Sequence, residues 1–189
     1  MGPLMLDTGD NGDLSVSQHV MHPYAKDWHV TDVLAAGLGG TFVSDYVRLD
    51  DVTWGNSHLD KVYTTIDPKY LDKAGVGAIG LALLERYNLY LDGPQAQLFL
   101  SSRSHAPVAQ IASNMGMQGR MTDQGWEVLH IMRSSPAQDT GLKAGDRICS
   151  VDGHRMIATS AIFRGPDGSE MHLNLCDGRK ILLKRRSFY

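Results

Sequence analysis

The chain has 189 residues, 42% of them hydrophobic, a formal net charge of −3 and a pI near 6.2. That length suits one large domain or two small ones. The charge balance gives no electrostatic reason to bind nucleic acid or an anionic membrane, the single basic run being Lys184-Arg185-Arg186. No apolar run approaches the roughly 20 residues of a membrane span, and Asp7, Asp10 and Asp13 are wrong for a signal peptide in the first thirty residues.

Residues 1–100 are expected to be rich in strand. Glycine-rich turns from Gly9 to Gly12, Gly37 to Gly40 and Gly75 to Gly80 separate short apolar or alternating runs. Strands are predicted from Leu14 to Val20, Thr41 to Leu49 and Val62 to Ile66, the last being β-branched. From Ile79 to Tyr87 the spacing of Leu81, Leu84 and Tyr87 is helical, and the alternating runs Asn88 to Leu91 and Gln97 to Leu100 flank Asp92-Gly93-Pro94 as a hairpin. Residues 101–113 carry serines and a proline without an apolar period and are assigned as a linker.

The second unit, 114–189, reads as a strand from Trp126 to Met132 and a short helix from Pro136 to Thr140. A strand from Arg147 to Val151, an Asp152-Gly153 turn and a weak helical stretch near Ala158 to Phe163 follow. Last comes a hairpin of Met171 to Leu175 with Lys180 to Lys184 around Asp177-Gly178. Ser135 caps the short helix with Pro136 in its first turn, and Gly141 ends it. Cys149 and Cys176 could pair, but within strand-like runs they are read as buried, inert thiols.

His19 and His22, with Asp27 and His29 nearby, have a spacing that could hold a metal, but no third well-placed ligand completes a pattern, so no metal and no cofactor are expected. Trp28, Trp54 and Trp126 are assigned to packing. Ser134-Ser135 has no motif tying it to a His and an Asp.

The stretch Ser134-Ser135-Pro136-Ala137-Gln138-Asp139-Thr140-Gly141-Leu142-Lys143-Ala144-Gly145-Asp146-Arg147-Ile148, followed by Val151-Asp152-Gly153, resembles the core of bacterial PDZ domains of the protease-associated type. The resemblance implies that backbone amides of an apolar-Gly-apolar loop, Asn114-Met115-Gly116-Met117, hold a peptide C-terminus while the peptide adds a strand to a sheet edge. Met115 and Met117 would line the pocket, with Ala161 and Ile162 as its far wall.

Met5-Leu6-Asp7-Thr8-Gly9 occurs once, and Gly77-Ala78-Ile79-Gly80 followed by Leu81 to Asp92 is similar to the second signature of retropepsin-like aspartic proteases, an apolar-apolar-Gly strand, a short helix and a closing strand. The Gly37-Leu38-Gly39-Gly40 segment falls where that family carries its flap hairpin. The whole arrangement looks like the carboxyl-terminal part of bacterial PDZ-containing aspartyl proteases. The fold class expected is therefore mainly β, a retropepsin-like half-barrel over 1–100 and a PDZ domain over 114–189.

The resemblance implies that Asp7 is a catalytic aspartate, Thr8 braces the partner loop and Gly9 permits the tight loop. One carboxylate is half of a dyad, since two must share a proton. The mate is expected from a second copy in a homodimer or from an N-terminal half that precedes this sequence. Asp10 stands where the family usually has Ala or Ser and is expected to perturb Asp7. Protein or peptide substrates are implied, and an exported or periplasmic setting. The alternative is a non-catalytic peptide-binding protein in which the protease half is a scaffold for the PDZ domain.

Overall fold

The computed structural model describes residues 3–21, 28–37, 39–67, 76–104, 113–156, 163 and 165–189. The chain is mainly β, with helices of a single turn, and it divides into two compact units: Met1–Val30 with Ser44–Ile111, and Thr31–Val43 with Ala112–Tyr189. No helix among the described residues is long and apolar enough to cross a membrane.

The first unit is built on β1 (Leu4–Asp7), β2 (Leu14–Ser17), β7 (Val62–Asp67), β8 (Gly77–Gly80) and the later part of β4 (Gly40–Leu49), in the order β1-β8-β2-β7-β4. β8 runs parallel to β1 and antiparallel to β2, so it passes between the two strands that flank the Asp7 to Asp13 loop. Alternation explains the core. Leu14 and Val16 of β2, Val62 and Ile66 of β7 and Val47 of β4 all point inward and are buried with Ile79, Leu83, Leu84 and Tyr87. Each fully buried Val or Leu contributes roughly 1.5–3 kcal/mol relative to exposure. Trp28 and Trp54 pack against this cluster, Trp54 edge-on to Tyr87 at 5.3 Å, as packing roles require.

Two short hairpins complete the unit, β5 (Val52–Trp54) with β6 (Ser57–Leu59), and β9 (Tyr87–Asp92) with β10 (Gln97–Ser102). The strand expected from Leu14 to Val20 stops at Ser17, and α1 (Gln18–Met21) takes over, because the Ser17 hydroxyl accepts from the His19 N–H at 3.4 Å and starts a turn. The helical spacing from Ile79 to Tyr87 yields only the single turn α2 (Leu81–Leu84), with Ile79 in β8 and Tyr87 opening β9. Within the expected linker, β10 extends to Ser102 and residues 105–112 lie outside the described residues.

The second unit has one sheet in the order β11-β12-β13-β15-β16, formed by β11 (Met117–Thr122), β12 (Gly125–Ile131), β13 (Arg147–Val151), β15 (Glu170–Leu175) and β16 (Lys180–Lys184), with β14 (His154–Arg155) paired to β13. Its core gathers Val128, Ile148, Val151, Met171, Leu173 and Leu183 with Ala137 of α3 (Pro136–Asp139) and Leu142. Trp126 packs on it through Phe163, ring centroids 4.8 Å apart. The Ser135 hydroxyl caps α3 by accepting from the Gln138 N–H at 3.2 Å, with Pro136 at the first position. β3 (Thr31–Gly37), which forms a hairpin with the start of β4, also belongs to this unit.

The reading of the cysteines as buried thiols is corrected: Cys149 and Cys176 form a disulfide and both are exposed. The register of β13 on β15 skips from Ile148 to Ser150, so Cys149 is the extra residue of a bulge, and Cys176 lies one position past the end of β15. Counted from the buried Ile148 and Leu175, alternation itself puts both cysteines on the outer face, and the extra residue returns Val151 to the core. The Cα atoms are 5.1 Å apart, within ordinary disulfide reach.

Candidate functional site

In the first unit the Asp-Thr-Gly residues sit where β1 ends. Asp7 is the last residue of β1 and stands in register with Gly80, the last of β8. Its Oδ1 accepts from the Gly9 N–H at 2.8 Å, and its carbonyl accepts from the Asp10 N–H at 3.3 Å. The chain thus turns sharply while the carboxylate stays half-exposed. Thr8 and Gly9 are exposed, and the Thr8 hydroxyl has no partner among the described residues.

The loop after Asp7 is fastened to the end of β8. The Gly80, Leu81 and Ala82 N–H groups donate to the carbonyls of Asp13, Asp10 and Gly12 at 3.0, 2.7 and 3.2 Å, which satisfies the free donors at the start of α2. Gly80 has no alternative there, since a Cβ would strike the Gly12 carbonyl oxygen. Asp10 serves the same loop. Its Oδ1 accepts from the Gly12 N–H at 2.8 Å and its Oδ2 from the Ser15 hydroxyl at 2.7 Å, so its carboxylate is occupied in shaping the turn.

Asp13, which the sequence reading used only to exclude a signal peptide, is the buried anchor. It is 0% exposed, accepts from the Tyr63 N–H at 3.0 Å, and pairs at 2.8 Å with the Arg86 guanidinium, whose side chain is 12% exposed. One residue thereby links the starts of β2 and β7 to the segment after α2. Arg86 follows Glu85 just past α2 and bears no local mark of the pair, its partner lying 73 residues away.

In the second unit Asn114, Met115, Gly116 and Met117 form the loop that leads into β11. The Asn114 side-chain amide donates to the Gly165 carbonyl at 2.8 Å and to Asp167 at 3.0 Å, and its carbonyl accepts from the Arg186 N–H at 3.0 Å. Asp167 also accepts from the Ser187 hydroxyl and N–H. The Ser187 hydroxyl bond, and then that of Asn114, holds this carboxyl below its ordinary value. Met115 and Met117 are buried in the core of the unit.

Gly116 has φ +79°, and a Cβ on it would collide with Ser135. The Gly116 N–H donates to the Ser113 hydroxyl at 3.0 Å, while its carbonyl accepts from the Met132 N–H at 2.8 Å and the Ser135 hydroxyl at 3.3 Å. A carboxylate seated on the Gly116 amide therefore has to replace the Ser113 hydroxyl. β11 ends the sheet, with β12 on one side and its other edge unpaired among the described residues. Ala161 and Ile162, the expected far wall of the pocket, lie outside the described residues.

The same unit holds a polar cluster that no local pattern marks, its partners being about a hundred residues apart. β12 carries an extra residue at Leu129, because Gln118 pairs with His130 and Gly119 with Val128. The bulge reverses the alternation, so Val128 and Ile131 both face the core while Gln118 and His130 turn the other way onto β3. The Gln118 amide accepts from the Leu34 N–H at 2.7 Å and donates to the Leu34 carbonyl at 3.1 Å. Asp32 accepts from the Arg133 N–H at 2.7 Å and lies 3.1 Å from His130 Nε2, and the Thr31 hydroxyl donates to the Arg133 carbonyl at 2.8 Å.

Among the described residues no group of three or more His, Cys, Asp or Glu is placed to hold a metal ion; His22 and Asp27 lie outside them. No curated protein matches the chain. Residues 113–164 match the family model described as PDZ domain, and the chain thus carries a PDZ domain, a module of protein and peptide interaction, in its second unit.

Proposed function

We propose that the chain is a peptide-directed protein whose first hundred residues supply one carboxylate of an aspartic-type endopeptidase and whose PDZ domain, over 114–189, binds substrate or partner peptides. The observation that carries the peptidase reading is the pairing of Asp7 with Gly80 where β8 threads between β1 and β2. That threading, together with the loop bonds from Gly80, Leu81 and Ala82, gives the single Asp-Thr-Gly a fixed turn and leaves its carboxylate accessible.

The chemistry would need a second Asp7 from another copy, or an equivalent carboxylate. One carboxylate of the pair, ionised, takes a proton from water as the oxygen attacks the peptide carbonyl; the other, protonated, donates its proton to the carbonyl oxygen. Sharing one proton is what gives such a pair its acid-shifted activity.

The test is cleavage of a quenched fluorescent peptide library by the full chain between about pH 3 and 7. Acid-favoured cleavage that disappears in Asp7→Asn, with the circular dichroism unchanged, is the expected result. Cleavage that survives the substitution removes the aspartic mechanism.

A second reading, peptide binding without hydrolysis, is favoured by the PDZ match on its own. In that case peptides with an apolar last residue bind the full chain in the micromolar range, about −8 kcal/mol. Amidating their C-termini removes most of that affinity, and Asp7→Asn changes nothing.

A further inference from the structure

The sheet of the second unit begins with β11 and ends with β16, whose outer edge meets no further strand among the described residues. The Arg185 N–H and C=O both bond toward the segment entering β15, to the Ser169 carbonyl at 2.9 Å and the Gly168 N–H at 2.7 Å. Backbone groups alternate sides along an antiparallel strand, so those of Leu182 and Lys184 point to the outer edge. Arg186 follows the same rule, and its N–H meets the Asn114 carbonyl. Beside this edge lies a cleft of about 560 Å³, a volume suited to a bound ligand. Leu182, 51% exposed, and Pro136 of α3 give it apolar lining, Thr140 and Lys184 polar lining.

The cleft carries unbalanced positive charge. Its one carboxylate, Asp139, is already paired with Arg186 at 2.9 Å. Lys184 stands opposite Glu170 on β15 and forms no ion pair among the described residues. Arg185, which also lines the cleft, is 5% exposed and has no carboxylate partner among the described residues. Its guanidinium donates to the Ser169 hydroxyl at 2.9 Å, the Glu170 carbonyl at 3.5 Å and Met171 Sδ at 3.2 Å, while Nε has no partner. A buried cation without a counter-ion is weakly screened, and it raises the potential in a cleft that adjoins it.

We propose that this cleft takes an extended acidic segment of another protein, added as a strand to the β16 edge. Its carboxylates would lie against Lys184 and an apolar side chain against Leu182 and Pro136. Lysine on a strand edge by itself only discourages pairing. The uncompensated charge of Arg185 is what turns this edge toward an anionic strand. A second copy of β16 does not fit, since Lys180, Lys184 and Arg186 would meet their like. β16 and β11 lie at opposite ends of the strand order, so the inference goes beyond the peptide C-terminus reading and does not rest on it.

A peptide of alternating Glu and Val, acetylated and amidated, tests this with the full chain, because blocked ends offer nothing to a site that holds a C-terminal carboxylate. Calorimetry is expected to show binding that falls at least about tenfold in Lys184→Glu, with circular dichroism unchanged, and at least about tenfold in about 0.5 M salt. The counterpart peptide of alternating Lys and Val is expected not to bind. Slower hydrogen exchange of the Leu182 and Lys184 amides in the presence of the acidic peptide is the sign of strand addition. No binding up to about 1 mM, or binding that Lys184→Glu leaves intact, overturns the proposal. So does protection of the β11 amides in place of those of β16. If tripolyphosphate displaces the peptide and the Leu182 amide was never protected, the cleft attracts anions without adding a strand, and the proposal falls as well.

Discussion

Replacing Arg86 by Met leaves the Asp13 carboxylate fully buried with the Tyr63 N–H as its remaining donor among the described residues. Removing one partner of a buried pair costs about 3–5 kcal/mol, and the slight exposure of Arg86 points to the lower end, about 3 kcal/mol. The loss falls on the first unit, because Asp13 joins β2, β7 and the segment after α2, all within it. Denaturant unfolding followed by amide exchange separates the two units: Val16 and Ile66 report one, Ile148 and Leu173 the other. Asp13→Leu combined with Arg86→Met removes both charges and is expected to recover at least about 1 kcal/mol relative to Arg86→Met, the signature of coupled partners. A cost under about 1 kcal/mol for Arg86→Met, or equal loss in both units, refutes the assignment of this pair as the anchor of the Asp7 loop.

Reduction of Cys149–Cys176, which closes a separation of 27 residues, is expected to lower the stability of the second unit by about 3–4 kcal/mol in the chain-entropy account; melting with and without reductant reads it. Gly116→Ala, with φ +79° and Ser135 in the way, should cost more than about 3 kcal/mol in the same unit, seen as an early transition in thermal unfolding. Gln118→Ala should raise the exchange rate of the Leu34 amide while the exchange of Ile148 stays unchanged. The depressed pKa of Asp167 stabilises the fold above the ordinary carboxylate value of about 3.9, and that contribution disappears as pH falls through the lower folded value. Protection of the Ser187 amide should therefore be flat above about pH 5 and fall only below about pH 4.

The sequence was most readable where its signals are local. Ser135 and Pro136 opened α3 as expected, Val62 to Ile66 formed β7, and Asp177-Gly178 turned β15 into β16, because each depends on residues within a few positions. Asp7 and Gly80 pair across a separation of 73 residues, and no local signal in either segment announces that register. The Asp13–Arg86 pair and the Asp32, His130 and Arg133 cluster were not legible, as neither acid differs in its neighbourhood from a solvated one. The bulges at Leu129 and Cys149 defeated alternation for the same reason: a single extra residue reverses which side chains face inward and leaves no mark in composition.

The membership of residues 31–43 in the second unit also sets the order of events during synthesis. Thr31 leaves the ribosome 102 residues before Arg133, the residue whose carbonyl its hydroxyl meets. At roughly 5–20 residues per second, that wait is about 5–20 s. Through this interval Asp32 has neither His130 nor Arg133, and the Leu34 backbone lacks the Gln118 amide. The second unit consequently closes only after translation has passed its bulged strand, whereas the strands of the first unit's sheet are all in hand by Gly80. A fragment cut to begin at residue 113 has lost those thirteen residues and starts life without the strand that its own Gln118, His130 and Arg133 hold in the full chain.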